Sequence, residues 1–251
     1  MAPRLSVVVP AFEESAAIAS TVAALRSGLN PAARAGGLEL IIVDDGSSDA
    51  TAARAAAAGA DRVLRLNPHR GKGAAVRAGV QAASGSVVAF CDADLAYPPE
   101  QLLRLLARID AGWDVAVGSR RHVDTVTLVR ARRTREVTGR VFSALTAAAV
   151  LGRAHDTQCG VKAFRSGAAQ AIFSRARVDG FAFDVEIFVI AAALALSVAE
   201  VPVELSNSGA SSVSVGRDTV RMLRDLVRIR WWERHGRYAQ EAPPGPQAPR
   251  L

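Results

Sequence analysis

Residues 41–51 read IIVDDGSSDAT, a short apolar run that ends in two adjacent carboxylates and a Gly-Ser turn. The apolar letters predict a buried strand, and the acids predict a polar cup above the sheet that could hold a ligand. The same succession of an apolar run and a polar segment recurs on both sides of this stretch, and that recurrence decides the fold.

Strands and helices alternate along the first half of the chain. Strands are predicted at 5–9, 38–43, 62–66, 86–91 and 114–118, and helices at 15–29, 50–58, 72–83 and 98–108. Because strands that are apolar throughout are covered on both faces, the alternation predicts an α/β fold with a mostly parallel central sheet between helices. Ligands of such folds bind at the carboxyl ends of the strands.

Four polar segments fall at those strand ends. They read PAFEE (10–14), VDDGSSD (43–49), NPHRGKGAAV (67–76) and CDADLAYPPE (91–100). Each alone is weak evidence, since acids and glycines end many strands. Four of them at one sheet edge predict a binding site for a charged ligand.

The DAD sequence at 92–94 places two carboxylates on alternate residues just past a strand. Such oxygen ligands suit Mg²⁺ or Mn²⁺, which commonly keep positions open for substrate phosphates. A pair of solvated acids is the alternative. Arg70 and Lys72, set among glycines before a helix, favour a diphosphate as the ligand. The segment is neither a Walker A loop nor a GxGxxG dinucleotide motif.

Composition indicates the kind of partner and the cellular compartment. The chain has 251 residues, half of them hydrophobic, and a net charge of +7. The positive charge is carried mostly by arginine, which favours phosphate-bearing or membrane-surface partners. The alternative explanation for the many arginines is GC-rich codon usage. We predict no nucleic-acid partner. The chain has two cysteines, Cys91 and Cys159, and we expect both to be packing residues. Because cysteines are so few and no signal peptide is recognised, we predict that the protein is cytosolic. The apolar run 187–199 is predicted to be a buried helix, being shorter than the roughly 20 residues that span a bilayer.

In chain order, the segments VVVPAFEE, VDDGSSDAT, RGKGAAVRAGV, DADLAYPPE and GSR resemble the motifs of the inverting family 2 glycosyltransferases of GT-A fold, over about residues 5–235. Three later segments, DTQCGVKAF, GFAFDVEI and MLRDLVRIR, resemble the polyprenyl-phosphate sugar synthases, especially the dolichyl-phosphate glucosyltransferase and mannosyltransferase branch. The resemblance implies a metal-dependent, inverting transfer of glucose or mannose from UDP-glucose or GDP-mannose to polyprenyl or dolichyl phosphate.

The resemblance also implies roles for single residues. The implied nucleotide-sugar group comprises Pro10, Phe12, Glu14, Asp44, Asp45, Lys72, Asp92 and Ala93. The implied catalytic group comprises Asp92, Asp94, Arg120 and Lys162. Within it, Asp92 and Asp94 would hold Mg²⁺ or Mn²⁺. Arg120 would reach the diphosphate or sugar, and Lys162 the acceptor phosphate.

The chain departs from the family pattern in two places. Mannosyl members often carry glutamine where this chain has Ala96, whose side chain cannot serve as a third metal ligand. The family's basic residue after the late Gly-Ser is missing from SNSGASSVSVG, and Arg217 is its candidate substitute on the acceptor side. Asp184 and Glu186 are further acceptor-side candidates, or simply acids favoured at a helix start.

Residues 217–234 predict an amphipathic helix with one arginine stripe formed by Arg217, Arg221, Arg224 and Arg228. We expect its apolar side to pack on the core, and the arginines and Trp232 to attract an anionic bilayer weakly. The alternative is a helix that lies in the bilayer surface.

Other segments complete the organisation of the chain. A basic loop is predicted at 120–140, entering a helix at 141–151. One GT-A domain is predicted over 1–236, followed by a disordered Pro-rich tail at 237–251.

The sequence therefore predicts an enzyme held peripherally at the cytosolic face of a membrane, with no transmembrane helix. The nearest alternative is a soluble family 2 glycosyltransferase with a non-lipid acceptor. A nucleotidyltransferase is a further enzyme alternative, and a receiver-like module, suggested by the paired acids Asp44 and Asp45, is a binding-protein alternative.

Overall fold

The computed structural model describes residues 2–120, 125–127, 156–205 and 217–239. Its strands are β1 (Leu5–Ala11), β2 (Leu38–Asp44), β3 (Arg62–Arg65), β4 (Val87–Phe90), β5 (Val115–Ser119), β6 (Val126–Thr127), β7 (Lys162–Arg165), β8 (Val198–Pro202) and β9 (Glu204–Leu205). Its helices are α1 (Ile18–Gly28), α2 (Asn30–Arg34), α3 (Thr51–Ala57), α4 (Lys72–Ala82), α5 (Gln101–Asp110), α6 (Ser166–Phe173), α7 (Phe183–Ala193) and α8 (Arg217–Arg234).

Seven of the described strands form the central sheet, in the spatial order β3-β2-β1-β4-β7-β5-β8. The neighbours are parallel except at β7, which is antiparallel to both β4 and β5. The predicted α/β fold with a mostly parallel sheet is therefore confirmed. The antiparallel strand was not predicted. Because β7 runs against its neighbours, it begins at the edge where β4 and β5 end, and it brings residues 159–162 to that edge.

Apolar side chains cover both faces of the sheet. In β1, Val7 and Val9 face a layer that contains α1, α3 and α5, whereas Val8 faces α4, α6, α7 and α8. Helix α4 lies close on its face because of Gly79, where a Cβ would overlap the side chain of Val8 and lie 2.9 Å from Val43 Cγ2. The first turn of α4 is thereby held at the carboxyl ends of the strands.

The predicted helix at 187–199 is wrong in its second half. Helix α7 ends at Ala193, Ala195 turns the chain with a φ of +53°, and β8 begins at Val198. Edge strand β8 pairs with β5, where Val198 faces Val115. A tertiary pairing thus overrides the apolar continuity of the segment.

The predicted domain end at Gly236 is also wrong. Tyr238 is buried beside Trp232, and its hydroxyl donates a 2.8 Å hydrogen bond to Glu186 Oε1. The folded part of the chain therefore extends at least through the turn after α8. The rest of the predicted tail lies outside the described residues.

We expect Tyr238→Phe to lower the free energy of unfolding by about 1–3 kcal/mol, because it removes the hydroxyl hydrogen bond from a buried carboxylate, Glu186. Urea unfolding would measure the change. Two truncations provide the matched comparison. Removal of 237–251 should destabilise the protein more than Tyr238→Phe does, since the ring is lost as well. Removal of 240–251 should leave the free energy of unfolding at the parent value. Equal stability of both truncated chains would contradict this role of Tyr238.

The prediction that the apolar side of α8 packs on the core is largely wrong. Leu226 and Ile229 are buried, but four apolar residues are exposed: Val220, Leu223, Val227 and Trp231. Helical spacing had identified an apolar face but not what that face contacts.

Two further predictions fall on parts of the chain that the structure leaves undescribed. The predicted basic loop and the helix at 141–151 lie almost entirely outside the described residues, as do the SNSGASSVSVG segment and the side chain of Arg217. Within the described part of the chain, none of the helices is both long enough and apolar enough to cross a membrane.

Candidate active site

A cleft of about 1160 Å³ opens at the carboxyl ends of β1, β2 and β4. The polar segments after these strands line one side, and residues 177–181 and α8 line the other. The predicted site residues that line it are Pro10, Phe12, Glu14, Asp45, Lys72, Asp92, Ala93, Asp94 and Arg120. Four predicted site residues lie instead in the interior behind it: Asp44, Lys162, Asp184 and Glu186.

An aromatic wall stands at the β1 end of the cleft. Phe12 is 44% exposed, and its ring centroid lies 4.3 Å from that of His69. A planar base can stack on such a wall, since aromatic faces bind π systems with little sequence or hydrogen-bond requirement. The signal in the sequence that points to His69 is its position in the NPHRGKG segment after β3.

Asp45 organises the loop that follows β3. Its carboxylate accepts hydrogen bonds from the backbone N–H groups of Arg70 at 2.9 Å and Gly71 at 2.7 Å, and lies 2.9 Å from His69 Nδ1. This carboxylate therefore sets the shape of the loop before α4, a role that the implied nucleotide-sugar contact did not include.

Asp44 does not face the cleft. It has no exposed surface, accepts the N–H of Ser47 at 3.0 Å, and lies 3.1 Å from Arg65 Nε. These contacts fix the turn after β2. Its predicted place in the nucleotide-binding group is corrected to that of a buried acid supporting the turn.

We expect Asp45→Ala to raise the Kd for UDP about 10- to 100-fold, because two backbone hydrogen bonds to a charged group are lost and the loop loosens. Calorimetric titration with UDP would measure this. Asp110→Ala, which removes an acid paired with Arg4 away from the cleft, is the control and should bind UDP as the parent does. An unchanged Kd in Asp45→Ala would contradict the role of this carboxylate.

Glycines bring the backbone of this loop close to its neighbours. Gly71 has a φ of +116°, and a Cβ there would lie 2.6 Å from the Asp179 carbonyl oxygen. Helix α4 begins at the next residue, Lys72, which lines the cleft, so the N-terminal end of the helix is at the cleft. Lys72 Nζ lies 2.5 Å from Asp92 Oδ1. Burial opposes the charge of this lysine, but Asp92 and Asp184 outweigh it and raise its pKa, so the ammonium stays protonated.

The DAD turn is fixed from behind. Thr21 donates a 2.7 Å hydrogen bond to the Ala93 carbonyl oxygen, and a Cβ at Gly160 would overlap the Asp92 carboxylate. Asp94, by contrast, is exposed in the cleft. Glu14 lies near it, and burial, together with the charges of Asp94 and Asp49, raises the pKa of Glu14.

The donor set of this turn fits a divalent cation that is shared with a substrate. Asp92 and Asp94 offer hard carboxylate oxygens, which suit Mg²⁺ or Mn²⁺. Among the residues that the structure describes, no group of three or more His, Cys, Asp or Glu side chains could hold a metal ion. An ion here would take its remaining ligands from a bound diphosphate and water.

Arg120 is held at the cleft by a bidentate ion pair. Its Nε and Nη2 both lie 2.7 Å from Asp156 carboxylate oxygens, and its backbone N–H donates to Asp156 as well, at 2.9 Å. Although burial opposes ionisation, the hydrogen bonds and charge of Arg120 lower the pKa of Asp156. The guanidinium is therefore a positioned positive charge.

Lys162 does not reach the cleft surface, which corrects the predicted acceptor contact. Its side chain is fully buried, its Nζ lies 2.5 Å from Asp184 Oδ1, and it donates to the Cys159 carbonyl oxygen at 2.9 Å. Burial raises the pKa of Asp184, while Lys162 and Lys72 oppose that rise. The pair joins β7 to α7 behind the DAD turn.

Glu186 likewise has an internal role in place of the predicted acceptor contact. Its carboxylate accepts the N–H groups of Arg177 and Val178 at 2.8–3.0 Å and the hydroxyl of Tyr238. Burial raises its pKa, and these hydrogen bonds oppose the rise. This acid therefore fixes the segment that forms the far wall of the cleft.

That far wall carries an arginine row, which the sequence predicted only to attract an anionic bilayer weakly. Arg221, Arg224 and Arg228 line the cleft, with Asp225 as the acid among them. Asp225 Oδ1 lies 3.8 Å from Arg224 Nη2 and 3.6 Å from Arg228 Nη1. With three arginines and one acid, this row of α8 is positively charged.

The cysteines serve as packing residues, as predicted. Cys91 and Cys159 are both buried and unpaired. Burial raises the pKa of Cys159 to about 11 and that of Cys91 higher still, so neither is a thiolate near neutral pH.

Comparisons with known proteins give a consistent result. A family model described as Glycosyl transferase family 2 matches residues 6–173. Dolichyl-phosphate beta-glucosyltransferase of Dictyostelium discoideum is 31% identical over 243 residues, covering 90% of this chain and 74% of that protein. The protein of the same name from Drosophila melanogaster is 33% identical over 248 residues, covering 92% and 75%.

The fold also matches a solved structure. Glucosyl-3-phosphoglycerate synthase from Mycobacterium tuberculosis, crystallised with Mn²⁺, UDP-glucose and phosphoglyceric acid, superposes with a TM-score of 0.70 at 24% identity. The match covers 91% of this chain and 80% of that chain. At this level of identity the likeness supports the fold alone.

Proposed function

The chain belongs to glycosyltransferase family 2, and we propose that within this family it transfers glucose from a nucleotide-diphosphate sugar to a polyprenyl phosphate. The observation that carries the proposal is the distribution of charge in the cleft. Carboxylates of the DAD turn stand on one side, and the arginine row of α8 stands on the other. Such a cleft can bind a donor diphosphate and bring a second, anionic substrate towards it.

The relatives support the choice of substrates. The similar proteins from Dictyostelium discoideum and Drosophila melanogaster are named for glucosyl transfer to dolichyl phosphate, at 31% and 33% identity over most of this chain. UDP-glucose is therefore the donor that we propose, with GDP-mannose as the donor to compare it with.

We propose that Asp92 and Asp94 hold Mg²⁺ or Mn²⁺ together with the donor. The ion would supply neutralisation of the charge that develops on the leaving diphosphate. Lys72 and the first N–H groups of α4 add to that stabilisation, and Arg120 offers a further fixed charge at the diphosphate or sugar. Phe12 and His69 would stack on the base.

An acceptor monophosphate needs no general base, because it is already an anion. Attack of its oxygen on the anomeric carbon from the side opposite the diphosphate inverts the configuration there. The arginine row would hold this anion against the repulsion of the donor phosphates. In this mechanism no buried acid acts as a base, and Asp44, Asp184 and Glu186 hold other groups of the site in position.

Labelled UDP-glucose and GDP-mannose, each incubated with a short-chain polyprenyl phosphate and Mn²⁺, would test the proposal. We expect glucose in an acid-labile glycolipid, release of UDP, and loss of both products with EDTA. Release of glucose 1-phosphate, with the uridylyl group transferred in place of the sugar, would indicate a nucleotidyltransferase instead. Transfer to a soluble acceptor, with no transfer to the lipid phosphate, would favour the soluble alternative.

A further inference from the structure

Helix α8 has three distinct faces. Leu226 and Ile229 are buried against the core, and the arginine row lines the cleft. The third face carries an apolar stripe, Val220, Leu223, Val227 and Trp231, exposed by 68%, 40%, 70% and 48%. Spacings of three, four and four residues place these side chains on one line along the helix.

Such a line is unusual at a water-exposed surface. Single apolar side chains are often exposed, but a contiguous row of large ones marks a surface that another body covers. Charges border this row, since Arg224 and Arg228, which line the cleft, are 67% and 53% exposed as side chains. Arg234 is exposed at the end of the helix.

We propose that α8 is the surface by which this enzyme rests on an anionic lipid bilayer, with its apolar stripe in the membrane interface and its arginine row receiving the acceptor phosphate. The proposal rests on the proposed function. Apolar side chains bordered by arginines, with a tryptophan among them, are the composition of helices that lie in a bilayer surface. Charge complementarity with anionic headgroups favours a membrane over a second copy of this basic chain.

The two roles follow from one geometry. Because the stripe and the arginine row are adjacent faces of the same helix, contact of the stripe with a bilayer places the arginine row at the depth of the headgroups. A lipid phosphate could then enter the cleft while its chain stays in the membrane. The donor, bound at the strand ends, would remain on the water side.

Vesicle sedimentation tests the stripe. Val227→Ser combined with Trp231→Ser should lower the partition coefficient onto vesicles of phosphatidylcholine and phosphatidylglycerol by about tenfold. Trp113→Ser, which changes an exposed tryptophan beyond α5, is the matched control and should bind as the parent does. Parent binding should weaken as salt rises. Equal binding by the stripe variant and the parent would overturn the membrane contact.

Steady-state kinetics with a short, water-soluble isoprenyl phosphate test the arginine row without a membrane. Arg224→Gln combined with Arg228→Gln should raise the acceptor KM about 10- to 100-fold while UDP affinity stays at the parent value. Arg234→Gln, on the same helix outside the cleft, should leave this KM unchanged. An unchanged KM in the double variant would overturn the phosphate contact.

Other outcomes remain distinguishable. If the parent transfers no glucose to isoprenyl phosphate, the proposed function fails, whereas vesicle sedimentation needs no turnover and still tests the stripe. The parent protein could instead fail to bind vesicles and sediment in ultracentrifugation as a dimer, while the stripe variant sediments as a monomer. A second copy of the chain would then cover the stripe, and the membrane proposal would be overturned.

Discussion

Asp94→Asn should lower the rate of sugar transfer by about a thousandfold, corresponding to the several kcal/mol that metal-assisted charge neutralisation contributes to such a reaction. The substitution keeps the shape of the side chain and removes its charge. Asp94 is exposed in the cleft, so the free energy of unfolding should stay near that of the parent. The loss would therefore be one of chemistry and not of folding.

Calorimetry of UDP with and without Mn²⁺ separates a role of Asp94 in holding the ion from a role in binding the nucleotide directly. In the parent, we expect Mn²⁺ to tighten UDP binding, and in Asp94→Asn we expect that gain to vanish. Asp61→Asn, at an exposed acid paired with Arg26 outside the cleft, is the control. A variant that keeps both the metal-dependent gain and its activity would show that Asp94 does not hold the ion.

Lys162→Met should lower the free energy of unfolding by about 3–5 kcal/mol, because it leaves the buried carboxylate of Asp184 without its partner. Urea denaturation would measure the loss. Lys162→Met combined with Asp184→Ala should be less destabilised than Lys162→Met alone, since no uncompensated charge remains inside the protein. This reversal distinguishes a buried ion pair from a surface lysine that binds substrate.

The acceptor role that the sequence implied for Lys162 gives the opposite pattern. A lysine that contacts a lipid phosphate would change the acceptor KM and leave stability alone. Normal stability in Lys162→Met, with a raised acceptor KM, would therefore contradict the buried pair. Lys72 is the useful comparison, because it lies at the cleft and its replacement should affect donor binding more than folding.

The sequence predicted several residues that line the cleft at the strand ends, for a physical reason. Parallel strands are buried on both faces and read as apolar runs, so their ends can be located, and parallel strands bring those ends to one edge. Asp45, Lys72, Asp92 and Asp94 each follow such an end and line the cleft.

The contacts between buried polar residues could not be predicted from the sequence in the same way. Lys162 and Asp184 lie 22 residues apart in the sequence, and no local pattern shows that a lysine in a four-residue antiparallel strand meets an acid at a helix start. Lysine is rarely buried, so the surface was the natural expectation. The proline-rich residues after Tyr238 likewise led to the prediction of a disordered tail, so the burial of its ring was not predicted.

The α8 helix shows a related limit. Periodicity identified the arginine stripe and the helix itself, and the observed bounds, Arg217–Arg234, match the prediction. Periodicity alone does not say whether an apolar face meets the core, a membrane or another chain. That choice depends on how the helix is rotated, which the buried contacts of Leu226 and Ile229 determine.

The antiparallel position of β7 has a consequence for the order in which the chain folds. Among the strands that the structure describes, β1 to β4 pair with one another and with β7, and β5 is connected to them through β7. Pairing of Val87 with Arg165 must close a loop of almost eighty residues, a slow and entropically costly step. On a ribosome, the half that carries the aromatic wall of Phe12 and His69 and the DAD turn would emerge first. Until residue 165 has been synthesised, one edge of β4 stays open, which makes this nascent half vulnerable to aggregation.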